Sequence, residues 1–142
     1  MILGIGNDIV NIDRIAHMVD TYGTRFIDRV FTATEKKRAD VSDKKVQIAI
    51  LARRFAAKEA MAKALGTGFV EGIRLRDIGV HNMRNGRPMI KLNGGALKQL
   101  EKMTPKGHDA KIELSLSDDY PMAQAFIIIS AIKKKGITNA KK

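Results

Sequence analysis

The chain has 142 residues, 44% of them hydrophobic, which is enough for one domain with a real core and too little for two of ordinary size. It contains no cysteine, so disulfides, thiolate metal sites and cysteine nucleophiles are excluded, and hard cations with oxygen ligands become the default metals. The 26 lysines and arginines exceed the 15 aspartates and glutamates, and the net charge of +11 points to an anionic partner or substrate.

Part of this charge is concentrated near residue 142. Five lysines lie among the last ten residues, and without them the net charge of +11 falls to +6. We expect one domain over residues 1–132 and a solvated, disordered basic tail over residues 133–142. Aromatic residues are only 5% of the chain and are not interleaved with basic ones, so nucleic-acid binding is not expected. The absence of a long apolar run or a signal-peptide pattern predicts a cytoplasmic protein without membrane contact.

The first third of the chain predicts one strand and several helices. Apolar residues 2–5 predict a short strand ending at Gly6-Asn7-Asp8, which would place Asp8 at a strand exit. Apolar residues at helical spacing predict an amphipathic helix from about residue 12 that Gly23 ends. A second amphipathic segment covers residues 25–30, and the hydroxyl and carboxylate of residues 32 and 35 predict a capping box before a short basic helix.

The longest predicted helix begins after Asp43 and runs without glycine or proline to Leu65. Apolar residues or alanines occupy nearly every side of it, which predicts a central helix buried among other elements. The following Gly66-Thr67-Gly68 is typical of a left-handed helix cap.

The second half of the chain is richer in strands. Two strand-like segments flank Asn85-Gly86, the strongest short signal for a hairpin, and a helix is predicted at about 95–103. Further strands are predicted at 111–116 and 122–132. Early helices and late strands favour an α+β fold in which an antiparallel sheet wraps on the long central helix.

Two acidic side chains are candidates for chemistry, each with a simpler interpretation. Glu59 falls within the apolar side of the central helix, and Lys63, four residues later, would form an ordinary helical ion pair of about 0.2–0.5 kcal/mol. Asp8 would simply cap the next helix. Against this, Arg54 and Lys58 crowd a helix predicted to be buried, and buried cations require phosphate or carboxylate partners.

Two segments, in order, carry a family resemblance. IGNDIV followed by Arg14-Ile15, and RFAAKEA followed by KALGTG, resemble the two signatures of the holo-acyl-carrier-protein synthases, which are 4′-phosphopantetheinyl transferases. The resemblance covers most of the chain apart from about residues 36–46 and the tail. It implies that the 4′-phosphopantetheine of coenzyme A is transferred to a serine of apo acyl carrier protein for fatty acid biosynthesis, with adenosine 3′,5′-bisphosphate as the second product.

The resemblance also assigns expected roles. Asp8 and Glu59 would bind Mg²⁺ together with the coenzyme A pyrophosphate, Lys63 would face the developing charge, and Glu59 is the candidate proton acceptor. A homotrimer with active sites at subunit boundaries is expected. The coenzyme A site would be lined by Arg54, Lys58, Lys63, Gly66, Thr67, Gly68, Asn85, Gly86, Arg87 and Pro88, and the acidic helix of the carrier protein would dock on Arg14, Arg25 and Arg29.

Several alternatives remain open from sequence alone. Residues 85–88 are equally well explained as a plain hairpin turn, and the apolar strand at 126–129 as a buried core strand. Asp118 stands where some family members have histidine, so it is left outside the catalytic set. The chain as a whole has two rival interpretations, a basic RNA-binding protein and a scaffold that holds an acidic helix without chemistry.

Overall fold

The computed structural model describes residues 1–69 and 72–136. Within these ranges there are five strands and five α-helices, with a short 3-10 turn at Leu75–Asp77; four of the helices follow the first strand, and the other four strands lie in the second half, which confirms the predicted α+β class. In chain order the elements are β1 (Ile2–Asn11), α1 (Ile12–Tyr22), α2 (Thr24–Val30), α3 (Ala33–Arg38), α4 (Lys44–Ala64), β2 (Ile78–Asn82), β3 (Pro88–Leu92), α5 (Gly94–Met103), β4 (His108–Asp119) and β5 (Met122–Lys133).

Two antiparallel sheets surround the long helix α4. The larger has the strand order β1-β5-β4, and the smaller is the β2-β3 hairpin. Alternate residues of β5 are fully buried against α4 (Ala123, Ala125, Ile127 and Ile129), as expected for a strand with one face on the core. The predicted wrapping of an antiparallel sheet on a central helix is confirmed.

Helix α4 and strand β1 cross at very short range. A Cβ atom on Gly4 would overlap the carbonyl oxygen of Ala64, and one on Gly6 would overlap that of Ala60. Glycine at these two strand positions allows the two backbones to approach in this way. This crossing positions the side chains that follow Gly6 in the strand.

The predicted local signals are largely confirmed. Thr32 and Glu35 form both halves of the capping box of α3, and the Asp43 side chain accepts hydrogen bonds at the start of α4. Asn85 and Gly86 lie in the turn of the β2-β3 hairpin. A glycine with φ of +55° separates α1 from α2 at residue 23, because this backbone conformation ends the first helix.

One predicted boundary is wrong. Strand β1 does not end at residue 8 but continues to Asn11, because its pairing with β5 runs without interruption to the Asn11–Met122 pair. Asp8 therefore lies within a strand, opposite Ala125, and the cap of α1 is the Asn11 side chain, which accepts from the Asp13 N–H at 2.8 Å.

At the other end of the chain, ordered structure extends slightly past residue 132. Lys133 pairs with His108, and the Lys134 N–H donates to Gly107 O at 2.8 Å. The disorder predicted for the basic tail stays a prediction, and residues 137–142 lie outside the described residues. Among the described helices, none combines the length and apolar character that a membrane span requires.

Candidate active site

Asp8 faces α4 from the middle of β1. Side chains alternate between the two faces of a strand, and Gly6, two residues before Asp8, lies against Ala60 of α4. The Lys63 Nζ atom donates to Asp8 Oδ1 and to the carbonyl oxygen of Asn7, each at 3.0 Å. The strand therefore brings a carboxylate from the start of the chain onto the last turn of the central helix.

Glu59 lies one turn before Lys63 and completes the group. Its carboxyl is half-buried, and its pKa is raised first by burial and then by the negative charge of Asp8, while Lys63 and Arg14 oppose the rise. Asp8 and Glu59 are therefore close enough for the charge of one to affect the pKa of the other. The simpler interpretation, an ion pair between Glu59 and Lys63 along the helix, is wrong about the partner of Lys63, because its ammonium binds Asp8 in β1.

This carboxylate pair is suited to one kind of metal ion. In the described part of the chain, no three or more acidic, histidine or cysteine side chains cluster as metal ligands. Mg²⁺ commonly takes one or two protein carboxylates and fills its octahedral shell with water and substrate phosphates. The half-buried pair of like charges, Asp8 and Glu59, fits a divalent cation that arrives with phosphate and does not fit a cage of protein ligands alone.

Gly66, Thr67 and Gly68 continue from this end of α4. The Gly66 N–H donates to Lys63 O at 3.0 Å and the Gly68 N–H to Ala62 O at 3.2 Å, so the loop folds back on the last turn of the helix. Both glycines have positive φ, as the predicted left-handed cap requires. These three residues lie next to the helix end that carries Lys63.

Arg54 and Lys58, predicted to line the coenzyme A site, make their contacts inside the chain. Lys58 is fully buried and forms an ion pair with Glu35 at 2.8 Å, and Arg54 is 2% exposed and donates to Asn82 Oδ1 at 2.7 Å. Burial lowers the pKa of Lys58 and lowers the pKa of Arg54 to about 10. All three donors of the Lys58 ammonium are used inside the chain, and the coenzyme A contacts of both residues stay a prediction.

The turn at residues 85–88 lies on another side of α4. Asn85 Oδ1 accepts from the Arg87 N–H at 3.0 Å, and the Arg87 guanidinium reaches Glu113 of β4 at 2.9 Å on the surface. Strand β2, which leads into the turn, is bound by Arg54 and Lys58. At 100° per residue, these two cations lie about 100 to 140° around the helix from Glu59.

The three arginines predicted to dock a partner are all exposed. Arg14 lies on α1 close enough to Glu59 to lower the pKa of its carboxyl. Arg25 and Arg29 lie on α2, and Arg29 lines a cleft together with Phe69 and other arginines. The three side chains are thus accessible, and Arg14 lies beside the carboxylate pair.

Several residues of this region were missed in the sequence. The sequence predicts Glu35 only as a helix cap and Asn82 only as a strand residue, because no local spacing signals a partner 23 or 28 positions away in the chain. Asp118, left outside the catalytic set, forms an ion pair with Arg53 of α4 at 2.8 Å. The presence of cations on a helix predicted to be buried indicates that they need anionic partners, but it does not identify those partners.

Comparison with known proteins defines the class. The model of the 4′-phosphopantetheinyl transferase superfamily matches residues 4–125, which include the crossing of β1 and α4, Asp8, Glu59 and Lys63. Solved structures with the same architecture include holo-[acyl-carrier-protein] synthases from Neisseria meningitidis (38% identity, TM-score 0.76, covering 92% of this chain and 99% of that one) and from Helicobacter pylori in complex with coenzyme A (28%, 0.72, 89% and 99%).

Another relative, known from its sequence, shares a higher identity with this chain. A holo-[acyl-carrier-protein] synthase of Rhodopseudomonas palustris strain BisA53 is 54% identical over 133 residues, which are 92% of this chain and 96% of the relative. The chain belongs to the 4′-phosphopantetheinyl transferase superfamily and, within it, to the holo-acyl-carrier-protein synthases.

Proposed function

We propose that this chain transfers the 4′-phosphopantetheine group of coenzyme A to a serine of apo acyl carrier protein. The serine oxygen bonds to the phosphorus next to pantetheine, the bond from that phosphorus to the bridging pyrophosphate oxygen breaks, and adenosine 3′,5′-bisphosphate leaves. The observation that carries this proposal is the meeting of Asp8, Glu59 and Lys63 where β1 crosses α4, in a chain of this family. The product would serve fatty acid biosynthesis in the cytoplasm.

Glu59 is the proton acceptor in this proposal. In the metal-free chain, burial and the like charge of Asp8 raise the pKa of the Glu59 carboxyl. Mg²⁺ bound to the same carboxylate would lower this pKa, so the role of Glu59 as proton acceptor is taken from the family resemblance and not from its basicity. Lys63 provides a fixed cation at the same helix end for the negative charge of the phosphates. Gly66, Thr67 and Gly68 would let the backbone approach the coenzyme there.

Asp8 and Glu59 would hold Mg²⁺ together with the pyrophosphate. When bound, the ion neutralises phosphate charge and polarises the phosphorus that is attacked. The pair of half-buried like charges supports this role, since a divalent cation relieves their repulsion. In the chain without a metal ion, the Lys63 ammonium pairs with the Asp8 carboxylate instead.

The surfaces proposed to bind the carrier protein and the nucleotide end of coenzyme A are assigned from their charge and position. Arg14 would bind the acidic carrier helix beside the carboxylate pair, with Arg25 and Arg29 extending the positive surface along α2. Residues 85–88, with Arg87, would bind the nucleotide end of coenzyme A.

We also propose that the active site is shared between subunits of a homotrimer. In one chain the 85–88 turn and the Asp8–Glu59 pair lie on different sides of α4, so a single coenzyme A reaches both more easily across a subunit boundary. The outer face of the larger sheet supports assembly because it exposes Ile5, Ile9 and Phe126 on adjacent strands, each by 41% or more.

A direct assay tests the transfer. The chain is incubated with coenzyme A and apo acyl carrier protein, with Mg²⁺ or with EDTA, and the carrier is weighed by mass spectrometry. We expect the mass of one phosphopantetheine arm to be added with Mg²⁺ and not with EDTA. Carrier binding without a mass change across several carriers would contradict the proposed function and favour the scaffold interpretation.

Variants of the same assay test the site. Asp8→Ala and Glu59→Ala should each reduce transfer by at least ~100-fold while the far-UV spectrum is unchanged, because each removes a carboxylate that would hold Mg²⁺ against the reacting phosphates. Asp28→Ala is the matched control, since it removes an exposed carboxylate whose ion pair with Lys36 lies on the surface. Full activity in either site variant would remove that residue from the proposed centre.

A further inference from the structure

A buried ion pair connects the central helix to the start of β2. Glu35 and Lys58 are both fully buried, with 2.8 Å between Lys58 Nζ and Glu35 Oε1. The Lys58 ammonium also donates to Leu75 O at 3.1 Å and to Ile78 O at 2.5 Å. The second Glu35 oxygen accepts from the Val80 N–H at 2.8 Å. The pair thus fixes the backbone of β2 on both sides of residue 79.

Arg54, one turn earlier on α4, holds the other end of the same strand. Its Nη2 atom donates to Asn82 Oδ1 at 2.7 Å, and Asn82 Nδ2 donates to Gly86 O at 2.9 Å. Asn82 therefore links a buried cation of the helix directly to the backbone of the hairpin turn. Both contacts lie within the part of the chain that the structure describes.

We propose that Arg54 and Lys58 are positioning residues, which hold the β2-β3 hairpin through Asn82 and Glu35 so that its turn can bind coenzyme A. The inference rests on the proposed function, in which residues 85–88 contact the nucleotide. It replaces the direct coenzyme contacts expected for these two cations from the sequence.

The hairpin needs such a support. Its strands pair over five residues each and form a sheet separate from the three-stranded one, and a two-stranded sheet is at best marginally stable by itself. Arg54 and Lys58 are four residues apart and so project from the same face of α4. Glu59 directly follows Lys58 in the helix, and one rigid element thereby fixes both the carboxylate pair and the hairpin.

The buried charges also favour one position of the hairpin on α4 over other positions. Removing charges from water is costly, and a buried pair is tolerated only when the remaining donors and acceptors are satisfied, as they are for Lys58 and Glu35. A shift of β2 along the helix would leave the ammonium or the carboxylate without these partners. One position of the hairpin is therefore strongly preferred.

Two variants test the proposal at the two ends of the strand. Asn82→Ala removes the link between Arg54 and Gly86, and Glu35→Gln keeps the side-chain shape but can accept from fewer donors. Lys36→Ala is the control, because it breaks the exposed Lys36–Asp28 ion pair on the helix that carries Glu35. If Glu35→Gln fails to fold, Asn82→Ala decides the question alone.

The first readout is hydrogen–deuterium exchange, which does not depend on activity. In Asn82→Ala we expect amides of residues 83–87 to exchange about three- to tenfold faster, the factor for one lost hydrogen bond, while those of β4 and β5 stay within about twofold of the parent chain. Glu35→Gln should accelerate the Val80 amide in the same local manner. Uniform acceleration throughout the chain, or none in the hairpin, would overturn the proposal.

The second readout separates substrate placement from catalysis. Asn82→Ala should raise KM for coenzyme A by about three- to tenfold, with kcat and the carrier KM within about twofold of the parent values. Faster hairpin exchange with an unchanged coenzyme KM would also overturn the proposal. If the parent chain transfers nothing, the proposed function has failed, and the exchange data still decide whether the contacts hold the hairpin.

Discussion

In the metal-free chain, the surroundings of Glu59 destabilise its ionised carboxylate relative to the same group in the unfolded chain. Its half-buried carboxyl stands near Asp8, and burial and the like charge together raise its pKa above the ordinary glutamate value. In the folded state the group therefore binds a proton more readily than in the unfolded state. Stability contributed by the protonated form is lost as pH rises through the raised pKa.

Because the folded chain favours the neutral form of Glu59, the neutral variant Glu59→Gln gives a testable prediction. Without Mg²⁺ the variant should be more stable than the parent chain at pH 7, by at most about 1 kcal/mol because the partly exposed charge is screened. The gain should shrink as pH falls toward the ordinary glutamate pKa of about 4.3, where the parent carboxyl is also neutral. Urea unfolding at pH 7, 6 and 5 in EDTA measures the difference.

Glu101→Gln provides the matched control, since Glu101 is an exposed glutamate on α5. It should change stability little and with no comparable pH trend. A Glu59→Gln chain that is less stable than the parent at pH 7 would show that burial and the Asp8 repulsion do not outweigh the attraction of Lys63 and Arg14.

The residues of this site were predictable only in part. Glu59 and Lys63 can be found from their positions on one helix, and Asp8 only through the family resemblance. The actual partner of Lys63 could not be found, because spacing along a helix does not reveal that β1 brings an aspartate and a carbonyl oxygen within 3.0 Å. Long-range contacts decide such pairings.

At the scale of elements, the crossing of β1 and α4 determines where Asp8 lies. Gly6→Ala should destabilise the chain by about 1–3 kcal/mol, because its Cβ would overlap the Ala60 carbonyl oxygen and a backbone atom cannot rotate away. Displacement of β1 would also move Asp8 from Lys63. We therefore expect reduced transfer in addition to a lower urea midpoint.

Gly79→Ala is the control for this change. Gly79 is also a strand glycine, but its added Cβ would meet other atoms only at ordinary contact distances of 3.6 Å. It should be neutral or stabilising by up to about 1 kcal/mol, since alanine restricts the unfolded chain. Equal stability of Gly6→Ala and Gly79→Ala would show that the two backbones can separate without cost.

The boundaries of β1 illustrate why elements were predicted better than their ends. Gly6-Asn7-Asp8 has the composition of a turn, and from the local sequence a strand ends there. In the folded chain β5 supplies backbone partners through Asn11, so pairing overrides local preference. Helix α4 was predicted closely because its caps, Asp43 and the glycines after Leu65, are local signals.

At the scale of the whole molecule, the proposed shared site makes a prediction about which subunits supply Asp8 and Arg87. If Asp8 and Arg87 of the same chain served one coenzyme A, a monomer would suffice. If they serve it across a boundary, each site takes Asp8 from one subunit and Arg87 from its neighbour. Two defective chains can then repair each other.

Mixing Asp8→Ala and Arg87→Ala chains, unfolded together and refolded at equal amounts, distinguishes these cases. In a randomly mixed trimer with shared sites, about a quarter of the boundaries carry both intact residues, and that fraction of parental activity at low coenzyme A should return. Light scattering after size exclusion checks that trimers form. Sites contained within one chain would all stay defective, so activity no greater than the average of the two variants would contradict the shared site.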